Sequence, residues 1–241
     1  MIKAVNLEKK YKGTPVLKKV SLNVDEGDFI SIMGASGSGK STLLYALSAM
    51  DRADEGKVVF EGVDLYSMED DQLQDFRRSK IGFVFQNSTF LKDLNILDNV
   101  LLPSMASRED ALDRAEGIMK SLGIWDLRDR DTKEVSGGQL QRANIARALI
   151  NSPKMIFADE PTGALNSQSA KDIMDIFIRL NDEGKTIILV THDAKVAAST
   201  KKVLFIKDGE IINNLLLGQY SQAMEKERQS AVNEKILEFN I

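Results

Sequence analysis

Residues 34 to 41, Gly-Ala-Ser-Gly-Ser-Gly-Lys-Ser, constrain this chain more than any other stretch. An apolar run, Phe29 to Met33, stops at these glycines, and Ser41 to Met50 then shows helical spacing. The order is strand, loop, helix. Gly34, Gly37 and Gly39 let the backbone turn tightly. Its N–H groups can then converge on an anion at the positive end of a helix dipole. Ala35, Ser36 and Ser38 complete a loop whose short side chains leave room for phosphate. The whole pattern, GxxxxGK followed by Ser or Thr in this context, is that of a phosphate-binding loop. Lys40 is expected to bridge β- and γ-phosphates, Ser41 to offer its hydroxyl to Mg²⁺, and Thr42 to touch the α-phosphate. A glycine-rich connector with no ligand is the bland alternative, and the full match in context disfavours it.

Further apolar runs at Lys57 to Phe60, Ile81 to Phe85, Met155 to Ala158 and Thr186 to Val190 read as buried strands of a mostly parallel sheet with helices between. Alternation over Ile2, Ala4 and Asn6, and again over Val16 to Val24, predicts an antiparallel β layer ahead of it. Residues 89 to 135 have helical periodicity, polar breaks and Trp125. The expected fold is thus α/β, a P-loop NTPase core with an antiparallel β subdomain and a helical lobe inserted over about residues 89 to 150. At 241 residues a single cassette spanning 1 to 218 is expected. Residues 219 to 241 are read as a polar C-terminal extension, solvated or partner-bound, with Ile236, Leu237 and Phe239 spaced for one helix face.

Composition removes other classes. No apolar run approaches the roughly 20 residues that span a bilayer, and the start lacks a secretory h-region, so the cytoplasmic side is expected. With no cysteine and one histidine, a catalytic metal has to sit on oxygen ligands. A net charge of −4 with both signs mixed argues against a nucleic-acid partner.

Asp159 and Glu160 end the apolar stretch Met155 to Ala158, where ligands bind in open α/β sheets. Asp159 is the expected Mg²⁺ ligand. Glu160 is the expected base for the water that attacks the γ-phosphate. An ordinary acidic turn before Pro161 is the alternative, weakened by the phosphate loop upstream.

Between these motifs lies Val135-Ser-Gly-Gly-Gln-Leu-Gln-Arg142, which resembles the signature motif of ATP-binding-cassette ATPases. It leads into a helix from about Gln139 to Ile150, a second helix start able to grip phosphate. The resemblance spans about residues 2 to 218. It implies ATP and Mg²⁺ as ligands and a head-to-tail dimer in which Ser136, Gly137, Gly138 and Gln139 of one copy close over the ATP of the other. It further implies that Tyr11 stacks on adenine, that Gln86 senses Mg²⁺ and the attacking water, and that His192 contacts the γ-phosphate. Two departures stand out: Val135 for the usual leucine, and Asn166 where the family has an aspartate that links the two sites. The runs FRRSKIGFVFQ, LGIWDLRDR and FIKDGEI resemble the group of macrolide exporters, lipoprotein-release ATPases and antimicrobial-peptide resistance ATPases, most of all the bacitracin-export type. An integral-membrane permease is the implied partner; residues 87 to 105, which follow Gln86 and set apolar beside polar side chains, are the expected docking surface, with helical-lobe core as the alternative for any one side chain. A non-transporting regulator of the cell-division type and a soluble cassette acting on DNA or ribosomes are the rivals.

Overall fold

The computed structural model describes residues 1–86 and 89–241. Two antiparallel strands open the chain, β1 (Ile2–Tyr11) and β2 (Thr14–Val24). They are joined through Lys12 and Gly13 at φ of 50° and 82°, the left-handed pair that a two-residue hairpin needs. β3 (Phe29–Met33) runs into α1 (Lys40–Leu47), and β4 (Glu55–Phe60) with β5 (Val63–Asp64) returns to the hairpin. The result is an antiparallel sheet of order β2-β1-β4-β5. After α2 (Asp70–Lys80) and β6 (Ile81–Val84) come α3 (Ile96–Leu101), α4 (Arg108–Ser121) and α5 (Gly137–Leu149). Then follow β7 (Met155–Asp159), α6 (Ser167–Asp182), β8 (Thr186–Val190), α7 (Ala194–Ala198), β9 (Lys202–Lys207), β10 (Glu210–Leu216) and α8 (Glu225–Phe239).

The second sheet has the order β10-β9-β3-β8-β7-β6, parallel except at β10. Every residue of β3, β7 and β8 is buried, because both faces of this sheet are covered. The two-residue period of a strand sorts their side chains. Phe157 and Ile188 join Leu43, Leu44 and Leu47 of α1 in a core shared with the antiparallel sheet. Ile156, Ala158, Ile187 and Leu189 face the opposite way, onto α3 to α6, where Met119, Ile145 and Phe177 are fully buried. α1 is therefore held in this core through Leu43, Leu44, Ala46 and Leu47, and it anchors the end of the loop before it. No helix among the described residues is long and apolar enough to cross a membrane.

The C-terminal stretch corrects the expectation of a solvated or partner-bound tail. α8 lies against α7 and β9, with Val232 fully buried beside Phe205 and Ala198. Its anchor is Arg228, only 3% exposed, which donates to the carbonyls of Ala198 (2.7 Å), Thr200 (2.6 Å) and Leu217 (2.7 Å). Ile236 and Phe239 pack inward, whereas Leu237 is 81% exposed, so the three do not share a face. An arginine reads as a surface residue in sequence. Here it supplies donors to carbonyls at the end of α7 and in the adjoining loops.

Candidate functional site

The phosphate loop joins the end of β3 to α1, and its glycines are required by space as well as by conformation. A Cβ on Gly34 would stand 2.2 Å from the carbonyl oxygen of Ile206. Gly39 caps α1 at φ 101°, and a Cβ there would meet the Val16 carbonyl at 2.8 Å. Ala35, Ser36 and Gly37 are exposed, while Ser38, Gly39 and Lys40 are buried. The Ser38 hydroxyl is buried with no hydrogen-bond partner among the described residues, an unmet demand inside a loop rich in backbone N–H groups. Lys40 Nζ donates to the carbonyls of Gly34 (2.9 Å) and Ala35 (2.8 Å). Burial lowers its pKa, against the opposing pull of Glu160 and Asp159. The loop thus carries an ammonium at its centre whose desolvation an anion would offset.

Across from it, the parallel register of β7 on β8 pairs Asp159 with Val190. Asp159 is 5% exposed and accepts hydrogen bonds on both oxygens, from Ser41 Oγ on Oδ1 (2.9 Å) and from the Tyr45 hydroxyl on Oδ2 (2.8 Å). The Glu160 amide continues the pairing onto the Val190 carbonyl at 3.1 Å. Glu160 then adopts φ 46°, a left-handed conformation that costs a residue with a Cβ about 1–2 kcal/mol. That turn brings its carboxylate to His192, two residues past β8, with Nδ1 at 3.0 Å from Oε1 and 2.9 Å from Oε2. The Glu160 side chain is 12% exposed and that of His192 67%. A shielded carboxylate is thereby set against an imidazole that solvent reaches.

Gln86 lines a cleft of about 190 Å³ together with Glu160, Gly137 and Leu165. Tyr11 sits at the outer edge, 44% exposed, its hydroxyl bonded to Asp51. Thr42 lies close enough to act on the Tyr11 phenol, which burial and Asp51 push up to about 12. Ser136 caps α5 in a reciprocal box: the Gln139 amide donates to Ser136 Oγ (3.3 Å) and the Ser136 amide to Gln139 Oε1 (2.8 Å). α5 starts at Gly137, two residues earlier than the sequence suggested. Gly138 lies against Ser169, where a Cβ would come within 3.0 Å of Oγ. Among the described residues, no hydrogen bond joins Ser136 to Gln139 with the phosphate loop of the same chain. Asn166 caps α6, its side-chain oxygen accepting from the Ser169 amide at 2.9 Å. Asparagine performs that cap as well as aspartate.

Sequence reasoning missed Tyr45, and it missed the clamp on Tyr11, in which Lys9 Nζ binds Asp51 Oδ1 at 2.6 Å. Tyr45 falls one turn after Ser41, a spacing that places both on one helix face; that was the available signal. The clamp has no such signal, since β1 and Asp51 are distant in sequence.

A mostly parallel, helix-covered sheet with a phosphate loop after one strand and paired acids after another defines a P-loop ATPase. The family model described as ABC transporter matches residues 17–163, and the chain belongs to that family, as an ATP-hydrolysing transporter subunit. It is 42% identical over 218 residues to the lipoprotein-releasing system ATP-binding protein LolD of Aquifex aeolicus (strain VF5), covering 89% of this chain and 97% of that protein. It is likewise 42% identical over 231 residues to the bacitracin export ATP-binding protein BceA of Halalkalibacterium halodurans, covering 92% and 91%. Against the macrolide export ATP-binding/permease protein MacB of Aggregatibacter actinomycetemcomitans it is 43% identical over 213 residues, 87% of this chain but only 33% of that protein. Among solved structures, the ATP-binding cassette MJ0796 in a dimeric post-hydrolysis state with ADP and Pi superposes with a TM-score of 0.84 at 40% identity, over 91% of this chain and all of that one.

Proposed function

We propose that the triphosphate of ATP lies on residues 34 to 42, with Lys40 on its β- and γ-phosphates, and that Glu160 deprotonates the attacking water. One observation carries this reading. Asp159 and Glu160, adjacent in sequence, are turned to different partners, the first to Ser41 of the phosphate loop and the second to His192. Two carboxylates with two environments suit two roles, cation ligand and base. Ser41 Oγ and Asp159 Oδ1 converge as the hard oxygen donors Mg²⁺ takes, one carboxylate and one hydroxyl beside the phosphates, so these residues fit the ion. Gln86 borders the same cleft as Glu160, in keeping with a role at the cation and the attacking water. Mg²⁺ would supply charge neutralisation on the phosphate oxygens. The chain's own part is to hold the phosphates, orient the water against Glu160 and place His192 beside the γ-phosphate. Tyr11, held by Asp51, would carry the adenine.

The signature residues Ser136 to Gln139 complete the site of a second copy, a reading supported by the exposure of Ser136 and Gly137 and by the dimeric cassette that this fold matches. The cassette, residues 1 to 218 with its helical lobe, would sit at the cytoplasmic face of a membrane on a permease. A groove of about 500 Å³ lined by Met50, Phe85, Leu102 and Pro103, with Arg77 and Arg147 in its walls, suits an apolar segment of that permease with an acidic flank. It takes in part of the stretch 87 to 105 expected to dock, of which Asn87 and Ser88 lie outside the described residues. Antimicrobial-peptide resistance is the transport role we favour, supported by an alignment with the bacitracin export protein that runs over more of the chain than that with LolD.

Glu160→Gln is the test. Its ATP affinity should stay within a few-fold of the parent while turnover falls about 10²–10⁴-fold, and with MgATP it should accumulate as a dimer on size exclusion. Near-normal hydrolysis would remove Glu160 from the role of base. Capture of a permease with the tagged variant from native membranes should recover a ten-span protein with a large extracellular domain. A four-span partner would move the role to macrolide or lipoprotein transport or to division signalling, and no membrane partner would favour the soluble rival.

A further inference from the structure

α1 presents two hydroxyls to Asp159 from successive turns, Ser41 on Oδ1 and Tyr45 on Oδ2. Ser41 can give an oxygen lone pair to a cation while its hydrogen stays on Oδ1. A single hydrogen bond is a pivot about which the carboxylate can still turn, so fixing its rotation requires a hold on the second oxygen. Tyr45 is placed to provide it. Its helix is fixed by Leu43, Leu44 and Leu47, all fully buried, and its ring packs on Phe83 at 5.8 Å between centroids. Phe83 in turn stacks on Phe157, two residues before Asp159 on β7. The hydroxyl and the carboxylate it touches are thus fixed to the same packed aromatic group.

We propose that Tyr45 is a positioning residue that fixes the rotation of the Asp159 carboxylate and thereby sets the affinity of the site for its divalent cation. This rests on the reading of Asp159 and Ser41 as the residues that hold Mg²⁺. Partners one layer behind a metal ligand commonly control affinity 10- to 100-fold.

The experiment uses Tyr45→Phe, which keeps the ring on Phe83 and deletes only the hydroxyl, with Mn²⁺ as the probe. Bound Mn²⁺ is read by electron paramagnetic resonance in the presence of ATP, beside ATP binding in EDTA and the melting temperature. Expected is a roughly tenfold higher Mn²⁺ concentration at half-saturation, with ATP binding in EDTA and melting retained. Unchanged Mn²⁺ affinity in Tyr45→Phe, with a loss in Asp159→Asn, would overturn the role of Tyr45 alone. Unchanged affinity in both would overturn the assignment of Asp159 beneath it. Phe83→Leu, which loosens the ring's support and leaves the hydroxyl, should shift Mn²⁺ affinity in the same direction by less. An equal weakening of ATP binding in EDTA would instead make Tyr45 a structural residue of α1 and overturn the proposal.

Discussion

Single residues in this site are held in conformations that cost free energy, and Glu160 is the clearest. Its φ of 46° is one that a side chain with a Cβ avoids, yet that turn is what carries its carboxylate from the strand end to His192. Such strain persists where surrounding structure fixes it. Here the fixing group is the backbone bond from the Glu160 amide to Val190. Comparing Glu160→Gly with Glu160→Ala isolates the strain, because both lose the carboxylate and only glycine accepts the conformation freely. The glycine variant should be more stable by about 1 kcal/mol in urea denaturation, and both should lose turnover. Equal stabilities would mean that the backbone relaxes once the side chain is gone. Asn166 belongs to the same scale. Its neutral side chain makes the α6 cap, so the change from the family's aspartate leaves that part of the fold intact.

The C-terminal helix shows what an element adds. α8 buries little apolar surface besides Val232, Ile236 and Phe239, and what secures it is one arginine beneath the loops around Thr200 and Gly218. Removing Arg228 leaves those carbonyls without a donor. Arg228→Met should therefore destabilise the protein by on the order of 3 kcal/mol and make the chain after residue 218 sensitive to limited proteolysis. α7, against which α8 packs, begins just after His192, and Lys195 of α7 reaches Glu225 at 3.8 Å. Undocking should then also disturb the position of His192, read as a change in ATP turnover out of proportion to the lost stability. Turnover that tracks the folded fraction alone would confine α8 to a structural role.

At the scale of the molecule, the site depends on strands that are far apart in the chain. β3 brings the phosphate loop, β7 the two acids and β8 the histidine, and because these three strands are adjacent and parallel, all three groups lie at their common carboxyl end. The capped start of α5 is left facing outward, with Ser136 and Gly137 exposed. Completion by a second copy makes a direct prediction. Lys40→Ala and Ser136→Arg, each inactive alone, should regain ATP turnover when mixed, since a mixed dimer holds one intact loop opposite one intact signature. No recovery on mixing, with dimers present by light scattering, would count against a shared site.

The amino-acid sequence by itself determined the chemistry and the fold class. The glycines, Lys40, the acid pair and the signature are local patterns, and local backbone geometry is enough to give them meaning. The α/β alternation followed from hydrophobic periodicity, which is also a short-range property. Tertiary structure alone decided the rest. The Glu160 to His192 contact depends on strand register, the Tyr11 clamp on a salt bridge from β1 to the segment after α1, and the docking of α8 on a buried arginine. Each of these joins groups remote in sequence, and only packing brings such groups within reach of one another.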